Sequence, residues 1–467
     1  LTAERHNIDD SHGLLHHLVV IITSFLIYEA ALEDKPELRQ QLNVILMAIG
    51  VHDSFDDKYV KGEVDLKNVK NNFFKLFEDD FEKKILKIVM RIINTMSYSK
   101  VMGSTKKKLG SKCGIYVDAY HIVREGDLMD GVTVARCVIT SFLVKARGSN
   151  VVQCFGRARN LFKDRMFAYD ENMLLVNNFT KEYYTKMESK AHKTFRTFNK
   201  ILGFEKVNTD KGLKKANTDE GLKKVNTDEG LDKDKEKERT KLNNKLLTRC
   251  FKFIEKISKD IQIYDSHAYL HSLSVIEYAT QIYESKVQKK GNKNLEEQFD
   301  VILVSCALHG VLNHKVVTDP NQREEYFNQL STIFEGKLEL SKIETVKKCI
   351  KEMSYSNLMK NNTNYKNDIA KRTFKNYRLA FHIVCEANLL DAYDFERCIV
   401  FNFCHNNNGT SIDLHQTVNV AVDTFNDRIL QYIENGLFFT DYGKSKAEEL
   451  HGKAIKRIAA WKRLLNF

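Results

Sequence analysis

Four segments of this 467-residue chain recur once each, in one order and at nearly one spacing. "DSHGLLHHLVVI" from Asp10 answers "DSHAYLHSLSVI" from Asp265, and "NVILMAIGVHD" from Asn43 answers "DVILVSCALHG" from Asp300. "MSYSKVM" from Met96 answers "MSYSNLM" from Met353, and "YHIVREGDLMDG" from Tyr120 answers "FHIVCEANLLDA" from Phe381. The offsets are 255, 257, 257 and 261 residues. Chance does not preserve order and offset together, so one domain has been duplicated, and whatever fold the first half adopts the second must adopt as well.

That fold is expected to be all-α. Only 2 Pro and 21 Gly interrupt the chain, and apolar residues return every third or fourth position in stretches such as "FEKKILKIVMRIINTM" (81–96), the period of a helix with one buried face. A chain that is 43% hydrophobic has material for two cores of this kind. Between the copies runs "NTDKGLKKANTDEGLKKVNTDEGL", three nine-residue units starting at Asn208, Asn217 and Asn226, followed by "DKDKEKERTK". Nine residues is too short for a solenoid repeat, and a segment so charged and poor in aromatics cannot bury enough surface to offset its ordering entropy. The expectation is two tandem helical-bundle domains, 1–203 and 243–467, joined by a charged linker over 204–242.

Several classes are excluded. The longest apolar run near the start, "LVVIITSFLIY" (18–28), has 11 residues, short of a bilayer span, so it reads as a buried helix and no membrane association is expected. Nine cysteines without short paired spacings, in a chain too large to need staples, read as reduced thiols in a cytoplasmic, reducing compartment. The formal charge of +11 suits an anionic partner such as a nucleotide. Basic residues are interleaved with acids and no nucleic-acid module is evident, so nucleic acid is not an expected partner.

The first copy carries a metal-ligand set. "AIGVHDSFDDKY" ends a buried apolar run on His52-Asp53, and His16 and Asp127 lie on two other segments of helical period. Neighbouring helix residues project about 100° apart, so an adjacent His and Asp can take neighbouring positions on one ion. His16 and Asp127 would close the site from two further helices. Two imidazoles with two carboxylates favour Mn, with Fe, Ni, Co, Zn or Mg as alternatives.

These residues resemble the HD-domain metal-dependent phosphohydrolases, an all-helical superfamily defined by H…HD…D. The likeness extends over residues 8 to 203 and is closest to the compact nucleotide pyrophosphohydrolase-like branch. "SHGLLHHLVV" resembles that branch's "GHDxxHxxRV" at His12 and His16, with Gly13 and Val19 departing from it. "HDSFDDKY" is similar to "HDxxDxKF" at His52, Asp53, Asp56 and Lys58, and "EGDLMDG" to "EADxLDA" with Asp127 in the ligand position and Leu128 where arginine is common. The resemblance implies metal-dependent hydrolysis of a nucleotide substrate, with nucleoside triphosphate cut to monophosphate and pyrophosphate. Asp56, three residues after Asp53, is the candidate for orienting or deprotonating water. Lys58, Lys100 and Arg124 are candidates to neutralise phosphoryl charge.

The second copy keeps His271 and His309 but has Gly310 for Asp53, Asn388 for Asp127 and Asn313 for Asp56. Two imidazoles without a carboxylate make a poor site for a hard divalent ion, so this copy is expected to be catalytically dead, in an intramolecular pseudo-dimer with the first. The alternative to an enzyme is a catalytically inactive HD-like scaffold or binding protein, against which the intact first ligand set argues.

Overall fold

The computed structural model describes residues 13–55, 63–102, 110–143, 150–204, 231–261, 268–290, 293–360, 373–405 and 413–466. Among them every regular element is a helix and no strand occurs. The 2 Pro fall where they interrupt nothing: Pro36 opens a 3₁₀ turn, and Pro320 follows Asp319, whose carboxylate caps its helix by accepting from the Asn321 N–H at 2.9 Å. The chain divides into two compact units. One comprises Leu1–Cys137, Asn160–His192 and Lys456–Phe467, the other Val138–Arg159 and Lys193–Ile455.

In the first unit the core helices are α1 (Leu14–Leu32), α2 (Leu42–Val51), α3 (Lys83–Met96) and α4 (Val117–Gly131). α1 packs along α4, and α2 packs on α1, α3 and α4. α3 shows why: Leu86, Val89, Met90, Ile93 and Met96 recur on one face and are buried there. The apolar run expected to be too short for a membrane lies inside α1, a helix of 19 residues that is long and apolar enough to cross one by length and composition. Here it is a core helix, burying Leu18, Val20, Ile22, Phe25 and Ile27. Where it crosses α4 the backbones come close. A Cβ on Gly126 would lie 1.8 Å from Ser24 Oγ and 3.4 Å from Ser24 Cα, so a side chain there requires Ser24 to shift.

The second unit contains α5 (Leu231–Ile261), α6 (Tyr269–Lys290), α7 (Phe299–Leu308), α8 (Leu340–Glu352) and α9 (Arg378–Asp391). α6 packs along α9, and α7 packs on α5, α6, α8 and α9. Corresponding helices thus have corresponding neighbours in each unit. At the α6–α9 positions matching Ser24 and Gly126 stand Ala279 and Ala387, both buried. Of the linker expected over 204–242, Phe204 is buried, 205–230 lie outside the described residues, and Leu231 already begins the 31-residue α5. "DKDKEKER" is charged but not helix-breaking, because it contains neither Gly nor Pro.

Both units also share a buried glutamate that ties α4 or α9 to a later segment. Glu125 accepts from the N–H groups of Val176 and Asn177 at 2.7 and 3.2 Å, ahead of helix Asn178–Leu202. Glu386 accepts from Phe439 and Thr440 N–H at 2.5 and 2.8 Å, ahead of helix Asp441–Leu465. A fifth repeated segment lies just before each of these: "FKDRMFAYDENML" from Phe162 matches "FNDRILQYIENGL" from Phe425, at an offset of 263. Both segments turn left-handed at the same place, Met173 with φ 53° and Gly436 with φ 63°.

Candidate metal centre

Three elements of the first unit bring the expected ligands together. His16 lies in the first turns of α1, His52-Asp53 in the 3₁₀ turn His52–Phe55 that continues α2, and Asp127 in the last turns of α4. The HD pair therefore sits at a tightened helix end and not on the regular helix its spacing predicts. Nε2 of His16 lies 3.0 Å from Nε2 of His52 and 3.1 Å from Asp53 Oδ2. Asp127 Oδ1 stands 3.7 Å from His16 Nε2 and 3.6 Å from His52 Nε2. His16, His52 and Asp53 can present one atom each within 4.8 Å of one another, and Asp127 joins them across the two imidazoles.

Hydrogen bonding fixes which imidazole nitrogens carry protons. His52 Nδ1 lies 2.7 Å from the carbonyl of Ile49, so it must donate there. His16 Nδ1 lies 2.6 Å from Asp130 Oδ2, so it donates to that carboxylate, which Arg136 also pairs. Each Nε2 is thus a lone pair in the neutral ring. Two imidazole nitrogens and two carboxylates thus gather at one place, with His16, His52 and Asp53 buried and Asp127 half-buried. That donor set could hold a divalent metal. Without one it takes a proton: burial opposes charge on His52, but Asp53 and Asp127 outweigh it and hold His52 up at about 9. Burial likewise opposes charge on Asp127, yet His52 and then His16 pull its carboxyl well below the usual range. The neighbouring His17 stays neutral, lowered to about 4 by burial and then by His52 and His16.

The second unit repeats the frame without the charge. His271 Nδ1 donates to Asp391 at 2.5 Å, with Arg397 paired to that carboxylate at 3.1 Å, matching His16, Asp130 and Arg136. His309 Nδ1 donates to the Cys306 carbonyl at 2.9 Å, matching His52. The difference lies at Nε2 of His309, 3.0 Å from the Asn388 amide. The amide brings a neutral side chain where the first unit has the Asp127 carboxylate. Burial lowers His309 to about 4 and His271 well below its ordinary value. With Gly310 and Asn388 where the first unit has Asp53 and Asp127, the second set lacks those two carboxylates.

The remaining expected residues fare differently. Asp56 and Lys58 lie outside the described residues. Lys100 is exposed on the short helix Tyr98–Met102. Arg124 does not reach the site as expected: it is fully buried, its guanidinium donating to the Leu174 carbonyl at 2.5 Å and lying 3.5 Å from Glu125. A group enclosed in this way cannot meet a phosphate arriving from solvent, and Cys385 replaces it in the second unit.

Another arginine is better placed. Arg165 of the fifth repeated segment stacks its guanidinium 4.1 Å from the Tyr98 ring centroid, as Arg428 does at 4.5 Å on Tyr355. Nε of each is buried with no acceptor among the described residues. Arg428 lines the cavity that holds His271 and His309, and Arg165 is its counterpart in the first unit by the repeat. The match at an offset of 263 was the signal in the sequence that could have identified it. No family model, curated protein or solved structure matches this chain.

Proposed function

We propose that the first unit is a metal-dependent phosphohydrolase of the HD type acting on nucleotides, converting nucleoside triphosphate to monophosphate and pyrophosphate. The observation that carries this reading is the gathering of the His16 and His52 imidazoles with the Asp53 and Asp127 carboxylates, each carboxylate within 3.7 Å of an imidazole Nε2. His16, His52, Asp53 and Asp127 would hold the ion, with Asp130 fixing the tautomer of His16 and the Ile49 carbonyl that of His52. A divalent ion bound there supplies Lewis-acid activation of a phosphoryl group and of water. Asp56 remains the candidate proton acceptor by its place in the sequence. Lys58, Lys100 and Arg165 are the candidates to bind phosphoryl oxygens, and Arg165 takes the role first expected of Arg124. The all-helical fold and matching neighbours of corresponding helices support reading the chain as one HD-type module duplicated, with the second copy inactive. Six of the nine cysteines are buried, which accords with the proposed reducing cytoplasmic setting.

The test is product identity. Incubated with Mn²⁺ and each common nucleoside or deoxynucleoside triphosphate, the protein is expected to release pyrophosphate, and His52→Ala to release none. Nucleoside plus triphosphate would keep the class but refute the branch. Absence of hydrolysis of any nucleotide by metal-loaded protein would refute the enzyme reading and leave a scaffold.

A further inference from the structure

The second unit has lost its metal carboxylates but not its cavity. A space of about 310 Å³ opens above His271 and His309, in the range of small-ligand sites. Its cationic lining comes from Lys315, Arg397 and Arg428, against the single carboxylate of Asp394. Arg397 is already committed to Asp391, whereas Lys315 and Arg428 have no carboxylate partner among the described residues. The two unmatched cations are the counterparts of Lys58 and Arg165, the groups assigned to phosphate in the first unit.

We infer that the second unit binds a small organic phosphate of mononucleotide size, its phosphoryl group held between Lys315 and Arg428 and its organic part against Tyr355 and Phe401. Three further observations support this. Arg428 lies in a π-helical turn, Phe425–Ile429, a distortion that recurs at functional sites. Its Nε is buried with no acceptor among the described residues, a donor that a phosphoryl oxygen would satisfy. Burial and then the Arg428 charge lower the Lys315 pKa, the mark of like charges gathered before their counter-ion. Ser354, Ser356 and Asn313 line the same cavity and add neutral hydrogen-bonding groups. With Gly310 and Asn388 in place of carboxylates, the ligand is bound and not hydrolysed. The inference shares the assignment of phosphate to Lys58 and Arg165 but requires no turnover by the first unit.

The experiment is calorimetric titration of the full chain, stripped of metal with chelator and carrying His52→Ala, so that the first unit neither holds an ion nor turns over. Probes are the four ribonucleoside 5′-monophosphates, ribose 5-phosphate and, as uncharged controls, the nucleosides. Saturable binding of at least one phosphate is expected, with the matching unphosphorylated compound at least about tenfold weaker. Adding Arg428→Ala or Lys315→Met should weaken binding by about tenfold or more. Lys315→Met keeps the aliphatic stem and removes like-charge crowding, so thermal stability without ligand should be unchanged or higher, which guards against misfolding as the cause. No saturable binding of any phosphate, equal affinity for a nucleoside, or full affinity in both variants would overturn the inference. Hydrolysis by the wild-type chain is a separate readout, so failure here and failure of the phosphohydrolase reading are distinguishable.

Discussion

Replacing Asp130 by Asn isolates what the residue behind His16 does for metal binding. Asp130 Oδ2 accepts from His16 Nδ1 at 2.6 Å, with the two side chains 9% and 1% exposed, and it is paired with Arg136. Asparagine keeps the shape but drops the charge, leaves Arg136 without its partner and can offer N–H to Nδ1. His16 is then free to carry its proton on Nε2, where it opposes a cation. Hydrogen bonds to an ionised acceptor are roughly twice as strong as neutral ones, and loss of such outer partners costs about 10- to 100-fold in metal affinity. That corresponds to about 1.4–2.8 kcal/mol. Mn²⁺ titration of chelator-stripped protein should show this loss for Asp130→Asn, with about one site still present. Asp391→Asn, the equivalent change beside His271, should leave Mn²⁺ affinity unchanged. Equal affinity of wild type and Asp130→Asn would refute the tautomer argument.

Two further predictions concern the fold. Gly126→Ala places a methyl 1.8 Å from Ser24 Oγ and should destabilise the first unit by about 1–3 kcal/mol in denaturant unfolding. Ser24→Ala added to it recreates the Ala279–Ala387 pairing of the second unit and should recover most of the loss, while additive effects would show that the two residues are not in contact. Burial raises Glu386 from its ordinary 4.5 to about 7 against the opposing hydrogen bonds from Thr440 and Phe439. The folded state therefore holds the proton more tightly than the unfolded one. The stability this gives is fully present below about pH 4.5 and is lost as pH rises to about 7, by about 3 kcal/mol. Thermal unfolding across pH 5 to 7.5 should show a smaller decline for Glu386→Gln than for wild type, and parallel declines would contradict the assignment.

What the sequence disclosed, and what it withheld, follows from range. Repetition and helical period are properties of the string itself, and they carried the helical class and the residues His16, His52, Asp53 and Asp127. Asp130 stands one turn beyond Asp127 and recurs as Asp391, yet its partnership with His16 crosses 114 residues and is settled only by packing. Arg124 looked available because a cation on a ligand-bearing helix is available in principle. Its enclosure under the Leu174 carbonyl depends on a segment 50 residues further on. The 3₁₀ tightening at His52–Phe55 is likewise not encoded in apolar spacing, since both helix types begin from the same pattern. Arg165 and Arg428 were hidden differently: their repeated segment shares few residues with the ligand motifs and becomes conspicuous once both guanidinium groups are seen stacked on equivalent tyrosines.

The first cluster is expected to hold a metal and the second to hold none. Elemental analysis of purified chain after loading with Mn²⁺ and removal of excess tests this directly. The wild type should retain about one divalent ion per chain, His309→Ala should retain the same, and His52→Ala and Asp53→Ala should each retain almost none. Full metal content in both first-unit variants, or its loss in His309→Ala, would contradict the assignment of the ion to His16, His52, Asp53 and Asp127.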